Sequence, residues 1–196
     1  MTLAFDVYGT LFDVNSSVEE LKDPELVGRW RRKQLEYTWL LTAMGRFESF
    51  WEVTRKALIH VAKELGVRVD VDRAMRAWLN LKPFEDAGKA LPKVNDRKLV
   101  LTNGDEWMVR DLLRNSGLSD YIDEIVSAER VGKYKPAVEV YRLAGEATFV
   151  SSNPWDVAGA HNAGLPVIYV NRYAQELEEI DPGGKIRVVR SLEELL

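Results

Sequence analysis

Short apolar segments alternate with segments of helical character along most of this chain of 196 residues, and this alternation restricts the fold more than any other feature. Strand-like apolar runs lie at 2–5, 98–102, 124–127, 148–151, 166–170 and 187–189. Helical patterns between them cover 105–116, 135–145, with Pro136 in its first turn, and 153–163. Strands that alternate with helices predict an α/β fold with a parallel, doubly wound sheet.

The first strand is followed by a long helical block at 15–82 instead of a single crossover helix. Apolar residues at helical spacing predict helices at 27–44, 47–65 and 71–81, and Gly66 is a stop signal for the second of them. A block inserted after the first strand lies at the carboxyl edge of the sheet, where such folds place their ligands.

We therefore predict two units. A Rossmann-like core domain comprises residues 1–14 and 83–196, and an inserted helical cap subdomain comprises residues 15–82.

Four short polar clusters each follow a predicted strand. They occupy 6–10, 102–104, 133–136 and 151–156. Because the carboxyl ends of parallel strands lie along one edge of the sheet, we expect the four clusters to converge on one crevice. One cluster alone would mean little, whereas four in this order predict a reaction site.

Composition excludes several other chemistries and partners. The chain has no cysteine and only two histidines, which excludes disulfides, thiol catalysis and a multi-histidine metal site. The net charge of -4 without long basic runs gives no support for nucleic-acid binding. The N-terminus does not resemble a signal peptide and no apolar run is long enough to cross a membrane, so we expect a cytoplasmic protein without membrane association.

The four clusters in this order resemble the haloacid dehalogenase superfamily, which uses the aspartate of the first cluster, here Asp6, as a covalent nucleophile. Its phosphatases carry a second aspartate two residues later, whereas this chain has Tyr8. The opening FDVYGTLFDV instead resembles the L-2-haloacid dehalogenase branch. Segments at 30–39, 44–47, 134–136, 149–153, 155–156 and 171–172 also resemble that branch. The departures are Thr102, where serine is usual, and a short connection at 143–148.

This resemblance implies a hydrolysis without metal or cofactor. Asp6 would attack C2 of a small L-2-haloacid, invert that carbon, and form an ester with loss of halide. Water would then cleave the ester and release a D-2-hydroxy acid. Lys135 would keep Asp6 ionised, and Asp156, with Asn153 and Ser151, would position or activate the water. Either Asp156 or Lys135 could activate that water.

The resemblance also implies how the substrate is held. The Thr102 hydroxyl and the amides around Tyr8 and Asn103 would bind the substrate carboxylate, and Arg31 would face the leaving halide. The predicted catalytic residues are Asp6, Arg31, Lys135, Ser151, Asn153 and Asp156. The predicted substrate-binding residues are Tyr8, Thr10, Leu35, Phe50, Thr102, Asn103, Tyr141 and Trp155.

Several of these residues also have a purely structural interpretation. Arg31 lies in a basic run that could be a solvated helix face. Asn153 suits a helix N-cap, and Asp156 suits the first turn of that helix. Thr102 suits a strand on propensity alone.

Two other functions compete with dehalogenation. A magnesium-dependent phosphatase is disfavoured by Tyr8, and a phospho-receiver signalling module is disfavoured because Asp6 has no acidic neighbour. The resemblance further implies a homodimer formed through the cap, and the apolar run 39–41 is compatible with such an interface.

Overall fold

The computed structural model describes residues 1–196 and contains a six-stranded sheet in which all neighbouring strands are parallel. The strand order is β5-β4-β1-β6-β7-β8, which confirms the predicted doubly wound α/β fold. The strands are β1 (Thr2–Phe5), β4 (Arg97–Thr102), β5 (Glu124–Ser127), β6 (Thr148–Ser151), β7 (Val167–Val170) and β8 (Ile186–Val189), with β2 (Phe12–Asp13) and β3 (Lys82–Pro83) in a separate pair.

Strand β1 lies at the point where the strand order reverses. The chain runs outward from β1 to β4 and β5, then returns to place β6 on the other side of β1. Leu3, Ala4 and Phe5 are all buried, as expected for a parallel strand covered on both faces. A crevice opens beyond the carboxyl ends of strands at such a reversal, so Asp6 lies at its centre.

Eight α-helices accompany the two sheets. They are α1 (Val18–Leu21), α2 (Pro24–Ala43), α3 (Phe50–Leu65), α4 (Val71–Trp78), α5 (Glu85–Ala90), α6 (Glu106–Asn115), α7 (Val138–Arg142) and α8 (Pro154–Asn162). The long helices α2 and α3 pack against each other, and Trp30 donates a hydrogen bond from its indole nitrogen to the Thr54 carbonyl (2.7 Å) between them. None of the helices has the length and apolar character needed to cross a membrane.

The pair formed by β2 and β3 was not predicted. Phe12 pairs with Pro83 and Asp13 with Lys82 in antiparallel register, where the chain enters and leaves the segment that contains α1 to α4. Strands of two residues are too short to show any periodicity in the sequence.

The helix predicted at 135–145 is wrong in its start and its length. Helix α7 begins at Val138 and ends at Arg142, so Pro136 lies before the helix and not in its first turn. The Lys135 backbone N–H donates to Asn103 Oδ1 (2.8 Å), and a residue that precedes proline disfavours the helical conformation. A long-range contact therefore holds Lys135 outside the helix.

The helices of the inserted segment differ from the prediction only at their ends. The helix predicted at 27–44 begins earlier, at Pro24, because Asp23 caps it by accepting from the Leu26 amide (2.9 Å). The helix predicted at 47–65 begins later, at Phe50, and ends as predicted before Gly66, which has φ +66°. The helix predicted at 71–81 ends at Trp78.

Candidate active site

Asp6 follows β1 directly and is held at the crevice from both sides of its carboxylate. Its Oδ1 lies 3.0 Å from Lys135 Nζ. Its Oδ2 accepts hydrogen bonds from Thr10 Oγ1 (2.8 Å) and Asn153 Nδ2 (2.7 Å). The Asp6 backbone N–H continues the sheet by donating to the Val150 carbonyl (2.9 Å). Three donors on two oxygens fix the plane of this carboxylate.

Lys135 is a buried ammonium shared by two carboxylates. Its Nζ lies 3.0 Å from Asp6 Oδ1 and 3.0 Å from Asp156 Oδ2, and 4.8 Å from the centroid of the Phe149 ring. A buried charge is tolerated only when it is paired and hydrogen-bonded, and Lys135 meets this condition through both acids. The backbone contact with Asn103 holds the chain at the same position.

Asp156 is the most buried acid of the site. Its Oδ2 accepts from Lys135 Nζ and from Ser151 Oγ (3.2 Å), and its Oδ1 accepts from the Tyr141 hydroxyl (2.6 Å). Burial raises the pKa of Asp156 to about 6, while the Lys135 charge acts in the opposite direction and the Asp6 charge adds to the increase. Burial, followed by the Asp156 charge, raises the pKa of Tyr141 well above its ordinary value.

Asn153 occupies the N-cap position of α8, but its side chain makes no capping hydrogen bond. Its Nδ2 donates instead to Asp6 Oδ2 and to the Tyr8 carbonyl (3.0 Å). This close approach favours glycine at position 9. Gly9 has φ +88°, and a Cβ there would lie only 3.0 Å from Asn153 Oδ1 and push that side chain away. The backbone of Asn153 therefore starts helix α8, as the structural interpretation predicts, while its side chain binds Asp6 and the Tyr8 carbonyl at the crevice.

Arg31 extends from α2 to the crevice. Its Nη2 donates to the Tyr8 carbonyl (3.4 Å) and its Nη1 to Gln34 Oε1 (2.7 Å), and it forms no salt bridge. Its guanidinium carbon lies 6.0 Å from the Tyr8 ring centroid and 5.9 Å from that of Trp78. Burial lowers the pKa of Arg31, and the Asp6 charge opposes this. A cation without an acidic partner in a confined position is suited to an anion.

An aromatic wall, formed by Tyr8, Phe50 and Trp78, lies beside Arg31. The Tyr8 ring stacks on Phe50 with centroids 5.5 Å apart and tilts against Trp78 at 5.2 Å. Burial raises the pKa of the Tyr8 phenol, so this side chain is neutral at ordinary pH. The Tyr8 hydroxyl and the Trp78 indole nitrogen are buried without a hydrogen-bond partner.

Of the eight predicted substrate-binding residues, only Thr10 donates a hydrogen bond to Asp6, and Thr102, Leu35 and Trp155 lie in three different surroundings. The Thr102 hydroxyl accepts from the Gly104 amide (3.0 Å) at the end of β4. Leu35 is half-buried on α2, one turn beyond Arg31. Trp155 packs edge-on against Trp39 (5.7 Å between centroids) and lines a separate cavity of about 480 Å³ with residues of α2 and α8. The structure thus places Trp155 away from the aromatic wall.

Three residues at the site were missed from the sequence. Gln34 is fully buried and joins Arg31 to Thr54, because it accepts from Arg31 and donates from Nε2 to Thr54 Oγ1 (2.6 Å). Asp105 accepts from the backbone amides at the start of α3, and Trp78 belongs to the aromatic wall. The spacing of Arg31 and Gln34, three residues apart on one helix, could have indicated the first of these.

The geometry offers no carboxylate-rich metal site. No three histidine, cysteine, aspartate or glutamate side chains of residues 1–196 lie close enough together to hold a metal ion. The position two residues after Asp6 is filled by the stacked, neutral ring of Tyr8, which cannot act as the second carboxylic acid that the phosphatases carry there.

Comparisons with known proteins agree with this architecture. Residues 1–164 match the family model of the haloacid dehalogenase-like hydrolases. An (S)-2-haloacid dehalogenase of Pseudomonas sp. (strain YL) is 36% identical, with 98% of this chain and 93% of that protein covered. An (S)-2-haloacid dehalogenase of Xanthobacter autotrophicus is 39% identical, with 89% and 76% covered.

The solved structures give the same result. The L-2-haloacid dehalogenase from Xanthobacter autotrophicus with chloropropionic acid covalently bound superposes with a TM-score of 0.92 and 32% identity, covering 99% of this chain and 96% of that one. Fold, site and family model together define a hydrolase with a doubly wound core. The chain belongs to the haloacid dehalogenase-like hydrolases, within the L-2-haloacid dehalogenase branch.

Proposed function

We propose that this enzyme hydrolyses short L-2-haloalkanoic acids to D-2-hydroxy acids, with inversion, through an ester on Asp6 and without a metal. The observation that carries the proposal is the Asp6 carboxylate, which three donors orient at the crevice opposite an Arg31 that has no acidic partner. The covalently bound chloropropionic acid in the related Xanthobacter autotrophicus structure supports it.

In the first step an Asp6 oxygen attacks C2 from the side opposite the halogen. The C–O bond forms as the carbon–halogen bond breaks, and the halide leaves with the bonding electrons. A carboxylate is a weak nucleophile, so its fixed orientation and the exclusion of water by the aromatic wall matter for the rate. Arg31 and Asn103 receive the departing anion.

The substrate carboxylate is held at the other side of C2. The Thr102 hydroxyl accepts from Gly104, which leaves its own hydrogen free to donate to an anion. The backbone amides around Tyr8 and Asn103 add further donors. Leu35, Phe50 and the Tyr8 ring provide apolar surface for C2 and its substituent.

In the second step water attacks the carbonyl carbon of the Asp6 ester. The bond between that carbon and the ester oxygen then breaks, the Asp6 carboxylate is restored with one oxygen from water, and the product oxygen takes up a proton and leaves as the hydroxyl of the D-2-hydroxy acid. We assign the proton from that water to Asp156 in preference to Lys135. A carboxylate offers about four acceptor positions, and Asp156 uses three of them for Lys135, Ser151 and Tyr141. Lys135 keeps its proton and neutralises both acids. Asn153, bound to Asp6 Oδ2, stabilises the charge that develops on this oxygen.

Halide release from L-2-chloropropionate in EDTA tests this function. We expect the wild-type protein to release chloride in EDTA and to acquire, during turnover, the mass of a 1-carboxyethyl ester on Asp6. Asp6→Asn should reduce the rate by roughly a thousandfold or more. Asp111→Asn, which alters a surface acid paired with Arg114, is the matched control and should behave as wild type. Turnover of a phosphate ester with magnesium, in place of chloride release, would refute the proposal.

We also propose a homodimer formed through α2. Leu40 and Met44 are 46% and 57% exposed, and with Tyr37 and Val53 they line a mostly apolar depression of about 410 Å³. A second copy would cover this surface. The cytoplasmic location expected from the sequence stays a prediction.

A further inference from the structure

We propose that Arg172 is a positioning residue for the reaction, which holds the loops after β1 and β6 so that both donors to Asp6 Oδ2 stay in place. The inference rests on the proposed dehalogenation. Arg172 follows β7 at the same edge of the sheet as Asp6, but neither its contacts nor those of its partner Asp86 include Asp6 itself.

Arg172 is anchored at one end by Asp86. Its Nε donates to Asp86 Oδ2 and its Nη2 to Asp86 Oδ1, both at 2.9 Å, and the two side chains are only 10% and 12% exposed. The guanidinium carbon lies 4.2 Å from the centroid of the Phe84 ring. This two-point pairing fixes the plane of the guanidinium, which an ammonium at the same position could not do.

The remaining donors of Arg172 reach two separate loops. Its Nη2 also donates to the Thr10 carbonyl (3.0 Å), and its Nη1 donates to Ser152 Oγ (2.7 Å). The two loops are joined to each other as well, because the Ser152 amide donates to Thr10 Oγ1 (2.9 Å). Arg172 therefore ties the loop of Thr10 to the loop of Ser152 without contacting Asp6.

These two loops supply both hydrogen bonds to Asp6 Oδ2. One comes from the Thr10 hydroxyl and the other from Asn153, the neighbour of Ser152. The other oxygen, Oδ1, is held by Lys135 alone. If the two loops move apart, the Asp6 carboxylate keeps only its ion pair with Lys135. It can then rotate, so that its attacking oxygen no longer points at C2 of the substrate. A displacement of about 1 Å at a reacting group can cost roughly a hundredfold in rate.

Single-turnover chloride release, with enzyme in excess over L-2-chloropropionate, tests the role of Arg172. Arg172→Lys keeps the charge but loses the two-point pairing with Asp86. At saturating enzyme we expect its rate to fall about 10- to 100-fold while its circular dichroism stays that of the wild type. The steady-state KM should change less than kcat, because Arg172 does not contact the substrate. Arg130→Lys is the matched control, since Arg130 pairs with Glu124 on the surface, and its rate should equal that of the wild type.

A purely structural role gives a different result. It would lower the folded fraction, measured by circular dichroism, and leave the rate of the folded enzyme unchanged. That outcome, or a wild-type rate from a fully folded variant, overturns the inference. If Arg172→Lys does not fold, Ser152→Ala tests the role instead, because it removes the hydrogen bond between Arg172 and the Ser152 hydroxyl. A several-fold slower rate of this variant supports the positioning role, and an unchanged rate refutes it. Absence of chloride release from the wild type would instead refute the dehalogenation itself.

Discussion

The two acids of the crevice share one ammonium but lie in different surroundings. Asp6 borders the crevice and receives hydrogen bonds from Thr10 and Asn153, whereas Asp156 has no exposed surface and receives them from Tyr141 and Ser151. Two carboxylates whose environments differ in this way can take different roles. We assign attack on carbon to Asp6 and proton transfer from water to Asp156.

The raised pKa of Asp156 predicts how ester hydrolysis depends on pH. Because the base must be ionised, hydrolysis of the Asp6 ester should become faster as the pH rises through the pKa of Asp156. In the ester Asp6 carries no charge, so this pKa lies below the value of about 6 that the ionised Asp6 helps to raise. The measurement is the decay of the esterified enzyme, followed by mass spectrometry after rapid mixing at a series of pH values. A rate independent of pH across this range would argue against Asp156 as the base.

The same pKa also predicts a change in stability. Its value in the folded protein lies above the ordinary 3.8, so the folded state binds this proton more tightly than the unfolded chain. Protonated Asp156 therefore stabilises the folded state fully at pH values below its ordinary pKa of 3.8. This stabilisation is lost as the pH rises through about 6.

Arg31 is the residue whose interpretation changes most between the sequence and the structure. In the sequence it is one of several basic residues on a helix, whereas in the structure it contacts the Tyr8 carbonyl and has no acidic partner. We expect Arg31→Ala to lose chloride release by roughly a hundredfold or more and to keep its fold. The adjacent, exposed Arg32→Ala is the matched control and should remain active, as measured by halide release and circular dichroism. Normal activity of Arg31→Ala would remove Arg31 from the site.

At the scale of elements, the crevice is closed by contacts between the inserted helices and the sheet edge. Asp105 accepts from the amides of Phe50 (2.8 Å) and Trp51 (2.9 Å) at the start of α3. The Tyr134 amide donates to Thr42 Oγ1 (3.0 Å) at the end of α2. We propose that the pair of β2 and β3 marks the boundary between a core of residues 1–14 and 83–196 and a cap of residues 15–82.

Removing the Asp105 carboxylate should loosen the start of α3. An acid at a helix N-terminus is favourable, and its loss leaves the buried amide of Phe50 and the partly buried amide of Trp51 without a partner. We expect Asp105→Ala to lower the free energy of unfolding by about 1–3 kcal/mol, measured by urea denaturation. The exposed Asp120→Ala is the control and should change this free energy by less than about 0.5 kcal/mol. Equal stability of the two variants would show that the Asp105 contact contributes little.

At the scale of the whole molecule, the apolar surface of α2 predicts the assembly state. We expect light scattering to give twice the mass of one 22.4 kDa chain, and Leu40→Lys to shift the protein toward the monomer. Burying a lysine charge in an interface is unfavourable, which is the reason for this shift. Val188→Lys is the control, because Val188 is 57% exposed on the edge strand β8 and should leave the mass unchanged. A monomeric wild type at high micromolar concentration would contradict the dimer.

The sequence by itself determined the fold class, the six strands of the parallel sheet and the convergence of four polar clusters. These depend on short-range information, because strands and helices show their own periodicity and parallel strands end at the same edge. It also determined that the residue two positions after Asp6 is not a carboxylate, since that residue is Tyr8. The beginning of α7 and the pair of β2 and β3 could not be predicted in this way, because contacts from elsewhere in the chain decide them.

Only the tertiary structure decided which contacts the side chains make at the carboxyl edge of the parallel sheet. It turned Asn153 from its helix to Asp6, 147 positions away in sequence, and it placed Trp155 against Trp39. It also brought Arg172 to the loop of Thr10, 162 positions away. The physical reason is that a buried polar group takes the partner that packing brings within about 3 Å, and local spacing along a chain contains no record of that distance.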